Sequence, residues 1–257
     1  MKTIILAGGM GTRIGEETHL RPKPMIEIGG MPIIWHIMKL YSHYGFYDFI
    51  ICCGYKGYML KEYFSNYYLH HSDVTFDFSN LNRIQMHNCH SEPWRVTLVD
   101  TGLETMTGGR VKRIREYVGN ETFLLTYGDG VADVDIPALI DFHKNHGGTA
   151  TITAVQPGGR FGVLDIAQHD QVLNFKEKKK EDGGWVNGGF MVLEPAIFDE
   201  LEGDSTVLER GPLERVAARR ELFSYRHKGF WQCMDTLRDK NYLEELWSGG
   251  QAPWKLW

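Results

Sequence analysis

The chain has 257 residues, of which 42% are hydrophobic and 24% charged, and this composition is typical of a globular protein long enough to bury a full core. It excludes a fibrous protein, a disulfide-stapled miniprotein and an intrinsically disordered chain. The formal net charge of −5 provides no polybasic surface for nucleic acid or anionic lipid, so we expect neither kind of partner.

The sequence also bears on the compartment in which the protein works. No apolar run approaches the roughly 20 residues of a membrane span, and the run that ends at Ala7 is too short for a signal-peptide core. The four cysteines, which form no C-x-x-C pair, are Cys52, Cys53, Cys89 and Cys233. We expect reduced core thiols in a protein of the cytoplasm.

Strand and helix signals alternate through the first half of the chain. Short β-prone apolar runs predict strands at 3–6, 47–53, 95–99 and 122–127. Apolar residues at helical spacing predict helices at 32–44, 57–69, 111–118 and 136–146. This series of βαβ units predicts a mostly parallel sheet with right-handed crossovers.

The pattern of predicted strands and helices changes in the second half of the chain. Shorter strands are predicted at 149–155, 161–166, 171–175 and 186–193, which favours an antiparallel or mixed extension of the sheet. Helices are predicted at 208–220 and 236–247. Because no Pro/Ser-rich linker or internal repeat divides the chain, we expect one α/β domain over 1–257.

A glycine-dense turn directly follows the first predicted strand. It reads Leu6-Ala7-Gly8-Gly9-Met10-Gly11-Thr12-Arg13, at the carboxyl end of a strand, which is where open α/β sheets bind ligands. Glycines let consecutive backbone N–H groups approach and surround phosphate oxygens. The turn therefore predicts a phosphate-binding loop, with a plain tight turn as the alternative.

Two better-known phosphate-binding motifs are absent here. A P-loop requires Lys-Ser or Lys-Thr after the glycines, and a dinucleotide fingerprint requires a third glycine where Ile14 stands. The second absence disfavours a nicotinamide-dependent oxidoreductase. The loop at 15–30 carries Lys23 between Pro22 and Pro24, and these prolines stiffen the backbone around the lysine.

The turn and the lysine together resemble a known family. The segment from Leu6 to Arg13, followed by Lys23-Pro24-Met25, is similar to the signature of the sugar-phosphate nucleotidyltransferases, which join a nucleoside triphosphate to a sugar 1-phosphate and release pyrophosphate. The similarity covers nearly the whole chain and includes Glu92-Pro93-Trp94, Val99-Asp100-Thr101-Gly102, Thr126-Tyr127-Gly128-Asp129-Gly130, Asn187-Gly188-Gly189-Phe190 and Met234-Asp235-Thr236. It implies a Rossmann-like three-layer fold with a mostly parallel mixed central sheet. Within that fold it implies a nucleotide-binding part at about 1–130 and a sugar-phosphate-binding part at about 131–257.

The resemblance also implies a division of roles in catalysis. The attacking oxygen belongs to the sugar phosphate, whose second pKa lies near ~6, so no general base is required. Positioning and charge neutralisation then carry the reaction, with Arg13, Lys23 and Asp129 as the catalytic residues. The implied nucleotide-binding residues are Leu6, Ala7, Gly8, Gly9, Met10, Gly11, Thr12, Arg13, Lys23, Thr105, Arg110 and Gly128.

Two aspartates are the implied ligands of Mg²⁺. Asp129 lies between glycines at the end of a predicted strand, and Asp235 lies far along the chain, so folding must bring the two carboxylates together. Without the resemblance, Asp129 is interpreted equally well as an aspartate that only stabilises a turn. Asp133 and Asp135 are the alternative candidates for the metal ligand in this segment. Asp235 is also interpreted as the N-cap of the helix that begins at Thr236.

The sugar phosphate requires a cation of its own. The segment Phe175-Lys176-Glu177-Lys178 is similar to the family's F-x-E-K-P, which indicates Lys178, although Lys179 replaces the proline. A solvated charge run is the alternative. Asn187 and Gly188 are expected to meet sugar hydroxyls, with a strand bulge as the alternative.

The base is indicated by Asp100-Thr101-Gly102 and by the segment from Thr105 to Arg110, which match the branch of the family that uses CTP. The resemblance therefore implies CTP and glucose 1-phosphate as substrates, CDP-glucose and pyrophosphate as products, and a homo-oligomer. A uridylyl- or thymidylyltransferase of the same fold and a non-catalytic nucleotide-sugar-binding regulator remain the alternatives.

Overall fold

The computed structural model describes residues 1–79, 82–156, 163–166, 171–176 and 184–257. Its strands are Thr3–Leu6 (β1), Glu27–Ile28 (β2), Met31–Pro32 (β3), Asp48–Cys53 (β4), Asp73–Asp77 (β5), Arg83–His87 (β6), Arg95–Asp100 (β7), Phe123–Tyr127 (β8), Gly130–Ala132 (β9), Ala150–Val155 (β10), Val163–Ile166 (β11), Val172–Lys176 (β12), Val186–Leu193 (β13), Leu222–Arg226 (β14) and Trp231–Cys233 (β15). Its α-helices are Gly15–Thr18 (α1), Ile33–His43 (α2), Gly57–Ser65 (α3), Tyr67–His70 (α4), Thr107–Arg113 (α5), Arg115–Val118 (α6), Ile136–His146 (α7), Pro212–Ala218 (α8) and Leu237–Ser248 (α9).

A central sheet organises the fold. Within the described residues it has seven strands, in the order β14-β10-β13-β8-β1-β4-β7. All neighbours in this sheet run parallel except β13, which is antiparallel to both β8 and β10. The predicted mostly parallel sheet with a mixed extension is therefore confirmed, and strands from both halves of the chain share it.

Two buried layers cover the faces of this sheet. Successive residues of a strand point to opposite faces, so Ile4 and Ile5 of β1 belong to different core clusters. Ile5 packs with α2 and α7 through residues such as Ile37 and Leu139. Ile4 packs with the layer that contains α5 and α8. This α/β/α arrangement confirms the predicted three-layer fold.

Helix boundaries depart from the sequence prediction where the chain bends. The predicted helix at 57–69 divides into α3 and α4 at Asn66, and the one at 111–118 begins earlier, at Thr107, and divides at Ile114. The helix predicted at 208–220 is shorter, as α8, because Gly211 has a φ of 86° and precedes Pro212, which disfavours helical backbone at the residue before it.

The hairpin of β5 and β6 has no counterpart in the sequence prediction. Its strands pair only with each other within the described residues, and the side chains of Phe76 and Ile84 are exposed. Cys89, which follows this hairpin, is exposed as well. The prediction that all four thiols lie in the core is thus wrong for Cys89, because the loop after β6 stays at the surface; the other three cysteines are buried.

A cluster of aromatic rings closes the layer beside α2. The side chain of His36 is fully buried, and Trp254 donates from its indole Nε1 to the Nδ1 atom of His36 over 3.4 Å. The ring of Trp247 packs edge-on against His36, with 4.6 Å between the centroids.

Among the described residues, no helix is both long and apolar enough to cross a bilayer.

Candidate active site

A cavity of about 370 Å³ opens at the carboxyl ends of β1 and β8. Its lining residues are Leu6, Ala7, Gly8, Gly9, Gly11, Thr12, Arg13, Lys23, Pro24, Thr105, Met106, Thr107, Arg110, Tyr127, Gly128 and Asp129. Every nucleotide-binding residue predicted from the sequence is in this set except Met10, whose side chain is exposed. The structure therefore gathers the predicted residues around one site, which is where open α/β sheets bind ligands.

Backbone hydrogen bonds to the neighbouring strand β4 fix the position of the glycine turn. The amide of Ala7 donates to the carbonyl of Cys52, and the amide of Tyr55 donates to the carbonyl of Gly8, so the start of the turn is fixed to the end of β4. Gly11 has a φ of 63°, a conformation that favours glycine. Beyond it a short 3₁₀ turn, Thr12–Ile14, directs Arg13 toward the cavity.

Lys23 lies between two carboxylates at the floor of the cavity. Its Nζ atom is 2.6 Å from Oδ2 of Asp129 and 2.6 Å from Oδ1 of Asp235. Arg13 contacts the other oxygen of Asp235, also at 2.6 Å, and its side chain is 73% exposed. Burial by itself would lower the pKa of Lys23, but the two carboxylates outweigh it and raise that pKa above its ordinary value. The ammonium is therefore charged at neutral pH.

A short antiparallel pairing brings the two aspartates together. Asp129 directly precedes β9 and Asp235 lies two residues beyond β15, and these two strands pair with Cys233 opposite Gly130. The amide of Met234 then donates to the carbonyl of Asp129 over 2.8 Å. The backbone thus fixes the separation of two residues that are distant in sequence.

The interpretation of Asp235 as a helix cap is wrong. The N-cap of α9 is Thr236, whose hydroxyl accepts from the amide of Asp239, while the carboxylate of Asp239 accepts from the amides of Asp235 and Thr236. This capping box satisfies the helix terminus without Asp235. The Asp235 carboxylate is therefore available to the cations of the cavity.

The rivals of Asp129 are engaged elsewhere. Asp135 is the N-cap of α7 and accepts from the amide of Ala138 over 2.9 Å. Asp133 faces Nε2 of His227 at 2.9 Å. Asp129 is the one of the three aspartates that lines the cavity.

The donor set suits a hard divalent cation. Two carboxylates converge on a single positive group, and oxygen ligands of this kind are those that Mg²⁺ prefers. In the part of the chain that the structure describes, no cluster of three or more His, Cys, Asp or Glu side chains is arranged to hold a metal ion. Two carboxylates are sufficient where a substrate's phosphates supply further ligands.

Arg110 forms part of the cavity wall. Its Nη1 atom donates to the carbonyls of Cys53 and Gly102 and to the hydroxyl of Thr101, and its Nη2 atom donates to the carbonyls of Gly8 and Leu103. The residue is 4% exposed. Arg110 therefore ties the glycine turn to the ends of β4 and β7, and Thr105 lies buried beside it.

The residues predicted to meet the sugar reach the cavity through Tyr127. The amide Nδ2 of Asn187 donates to the hydroxyl of Tyr127 over 3.2 Å, and Trp231 donates to the carbonyl of Gly188 over 2.7 Å. The register of β13 against β10 shifts between Asn187 and Met191, as the strand-bulge alternative predicts. Lys178 lies outside the described residues.

The site residues predicted from the sequence omit four residues that line the cavity, Pro24, Met106, Thr107 and Tyr127. Thr107 begins α5, and Tyr127 ends β8 directly before the predicted Gly128 and Asp129. Their positions next to predicted residues were the available signal. Glu209, which joins their hydroxyls, carried no sequence signal because it lies about 80 residues or more from both.

Comparisons with known proteins show what the chain is similar to. The family model described as nucleotidyl transferase matches residues 2–232. Glucose-1-phosphate cytidylyltransferase of Salmonella typhi is 62% identical over 258 residues, covering 100% of both chains, and the protein of that name from Salmonella typhimurium is 61% identical with the same coverage. The crystal structure of HddC from Yersinia pseudotuberculosis superposes with a TM-score of 0.75 at 21% identity, covering 96% of this chain and 99% of that one.

Proposed function

The chain belongs to the nucleotidyl transferase family, and we propose that it transfers the cytidylyl group of CTP to α-D-glucose 1-phosphate, forming CDP-glucose and pyrophosphate. Two lines of observation support this reaction. Full-length relatives at 61–62% identity are named for it. One cavity also combines a glycine turn with two cations and two carboxylates, which is the chemistry that a triphosphate substrate requires.

We propose an in-line displacement without a general base, because the sugar phosphate is already ionised at neutral pH. An ionised oxygen of the sugar phosphate attacks the α-phosphorus, and the bond to the departing pyrophosphate breaks. The chain's part is to align the two phosphates and to offset their charge. We propose that the backbone amides of Gly8, Gly9 and Gly11, together with Arg13, hold the triphosphate; all four residues line the cavity.

Lys23 is proposed to neutralise charge near the α-phosphate. It is buried on the floor of the cavity, and its ammonium is held by carboxylates rather than by solvent. We assign Mg²⁺ to Asp129 and Asp235; when bound there, this cation offsets triphosphate charge and fixes its orientation. Lys178, Asn187 and Gly188 are proposed for the sugar phosphate and sugar on the sequence resemblance.

Thr105 and Arg110 are proposed to select the base. The terminal nitrogens of Arg110 are occupied by protein acceptors, so its contribution is to fix the carbonyl of Gly8, which lines the cavity, and that of Gly102. A pocket for cytosine needs an acceptor opposite the N4 amino group, and the hydroxyl of Thr105, which also lines the cavity, is a group of this kind.

An assay with purified protein tests the proposal. Glucose 1-phosphate is incubated with CTP, UTP or dTTP in the presence of Mg²⁺, and both pyrophosphate and the nucleotide sugar are measured. We expect CDP-glucose and pyrophosphate in equal amounts, and no turnover in Asp129→Asn. Equal or higher kcat/KM with UTP or dTTP would favour the uridylyl or thymidylyl alternative. Nucleotide binding without pyrophosphate release would favour the regulator.

A further inference from the structure

The carboxylate of Glu209 joins two walls of the cavity that no other described side chain connects in this way. Its Oε1 atom accepts a hydrogen bond from the hydroxyl of Tyr127, and its Oε2 atom accepts one from the hydroxyl of Thr107 over 2.6 Å. Both donors line the cavity, whereas Glu209 lies behind them. One rigid group thus holds the end of β8 and the start of α5 at a fixed separation.

The hydrogen-bond directions in this network are fully determined. An ionised carboxylate only accepts, so both hydroxyls must donate to it. The Tyr127 oxygen in turn accepts from Nδ2 of Asn187 over 3.2 Å, and the Thr107 oxygen accepts from the amide of Leu208 over 2.9 Å. A chain of polarised bonds therefore runs from β13 through Glu209 to the segment that precedes α8.

One end of this hydrogen-bond network lies beside the residues proposed to bind the nucleotide, and the other end lies beside those proposed to bind the sugar. Thr107 belongs to the same short segment as Thr105 and Arg110, which are proposed for the nucleotide. Tyr127 contacts the sugar side, because its hydroxyl bonds Asn187 and a Cβ atom at Gly189 would come within 2.5 Å of its ring. Tyr127 also directly precedes Gly128 and Asp129, so its orientation affects the floor of the cavity.

We propose that Glu209 is a positioning residue that sets the alignment of the nucleotide wall against the sugar wall. This inference rests on the proposed cytidylyl transfer and adds a residue that touches neither substrate. In-line attack requires both phosphates to be aligned at once, and a misplacement of about 1 Å lowers the rate by as much as ~100-fold. Loss of Glu209 should therefore reduce kcat while each substrate still binds its own wall.

The variant Glu209→Gln tests this inference with little change in volume. Its amide keeps one acceptor, so one of the two hydroxyls faces an NH₂ group and loses its partner. We expect kcat to fall at least tenfold, with the KM for CTP and for glucose 1-phosphate each within about threefold of wild type. Tyr127→Phe removes one arm, and the double variant Glu209→Gln/Tyr127→Phe should lose no more than about the larger of the two single effects.

Glu194→Gln is the matched control. The Glu194 carboxylate likewise accepts from a threonine hydroxyl, that of Thr122 over 2.8 Å, but at the opposite end of β8. We expect this variant to keep the kcat of wild type. Hydrogen exchange gives a readout independent of turnover: Glu209→Gln should speed exchange both at 107–113 and at 186–193, and Glu194→Gln should not.

Several results would overturn the inference. An unchanged kcat in Glu209→Gln, a loss confined to the KM of one substrate, additive effects with Tyr127→Phe, or faster exchange in only one of the two segments would each show that Glu209 serves one wall alone. The proposed function fails separately, if wild-type protein releases no pyrophosphate from CTP and glucose 1-phosphate. The exchange measurement still decides the role of Glu209 in that case.

Discussion

The ammonium nitrogen of Lys23 lies 2.6 Å from Oδ1 of Asp235, a residue 212 positions further along the chain. The same nitrogen is 2.6 Å from Oδ2 of Asp129. The positively charged ammonium of Lys23 thus lies between the two carboxylates that are proposed to hold Mg²⁺. The protein's own ammonium and a divalent cation compete for the same pair of negative charges.

Removing this ammonium should therefore have two opposite effects. In Lys23→Met we expect turnover to fall about 100-fold, because a charge-neutralising group near the reacting phosphate is lost. We also expect Mg²⁺ to bind more tightly in the absence of nucleotide, as measured by calorimetric titration. The control is Lys39→Met, which breaks an ion pair with Glu92 of the same 2.6 Å length away from the cavity. Unchanged Mg²⁺ affinity in Lys23→Met would contradict the shared site.

Replacing Arg13 should lower the catalytic rate without lowering the stability of the fold. Its side chain is 73% exposed, and an exposed ion pair contributes little to folding. We expect Arg13→Ala to lower kcat tenfold or more, which corresponds to about 1.4 kcal/mol or more of lost transition-state stabilisation, with the thermal midpoint almost unchanged. A change confined to the KM for CTP would show that Arg13 binds the nucleotide without taking part in the chemical step.

The capping box of α9 should couple helix stability to turnover. Asp239 holds the amides of both Asp235 and Thr236. We expect Asp239→Ala to lower the free energy of unfolding by about 1 kcal/mol and to reduce turnover, because the backbone that carries Asp235 is released. Asp135→Ala removes an equivalent cap from α7, outside the cavity, and should lower stability without affecting turnover. Equal turnover in the two variants would argue against the coupling.

Two neighbouring glycines of the turn should respond differently to alanine. A Cβ atom at Gly8 would lie 2.1 Å from Nη1 of Arg110, whereas a Cβ atom at Gly9 would have no heavy atom within 4 Å. Gly8→Ala must displace a guanidinium that bonds several carbonyls, so we expect a loss of about 2 kcal/mol or more in chemical unfolding without ligand. Gly9→Ala should stay within about 0.5 kcal/mol of wild type in the same measurement.

The stability of the protein should fall in mildly acidic solution. Burial lowers the pKa of His36 to about 4, while in the unfolded chain it lies near 6.5. Above pH 6.5 the imidazole is neutral in both states, but between pH 6.5 and 4 the unfolded chain binds a proton that the folded chain does not. The free energy of unfolding should therefore decrease as the pH falls through this window, by about 3 kcal/mol from His36. His36→Gln should show a shallower decrease in denaturant titrations at each pH.

Much of the site could be predicted because its residues stand beside glycines that end strands. Gly8, Gly128 and the residues around them follow apolar runs, and the carboxyl ends of parallel strands meet at one edge of a sheet. The same signal located β1 and β8. These predictions needed only local sequence and the general geometry of parallel sheets.

Other features depend on contacts between distant segments. Aspartate and threonine are both good N-caps, and only the folded structure, in which β15 pairs with β9, shows that Thr236 caps α9 while the Asp235 carboxylate pairs with Lys23 and Arg13. The acceptors of Arg110 come from three segments that are distant in sequence, so no local sequence pattern predicts that Arg110 is buried. The hairpin of β5 and β6 is a different case: polar and apolar residues alternate in both Asp73–Asp77 and Arg83–His87, so the signal for two strands was present in the sequence, although most of their side chains are exposed.

The packing of Trp254 against His36 constrains the order in which the molecule is completed during synthesis. The two residues are 218 positions apart, and at 5–20 residues per second roughly 10 to 40 s separate their emergence from the ribosome. For most of that interval the face of α2 around His36 lacks the rings of both Trp247 and Trp254. A nascent chain that has already formed the glycine turn thus still presents an open apolar surface, and chains arrested in this window are the ones we expect molecular chaperones to retain.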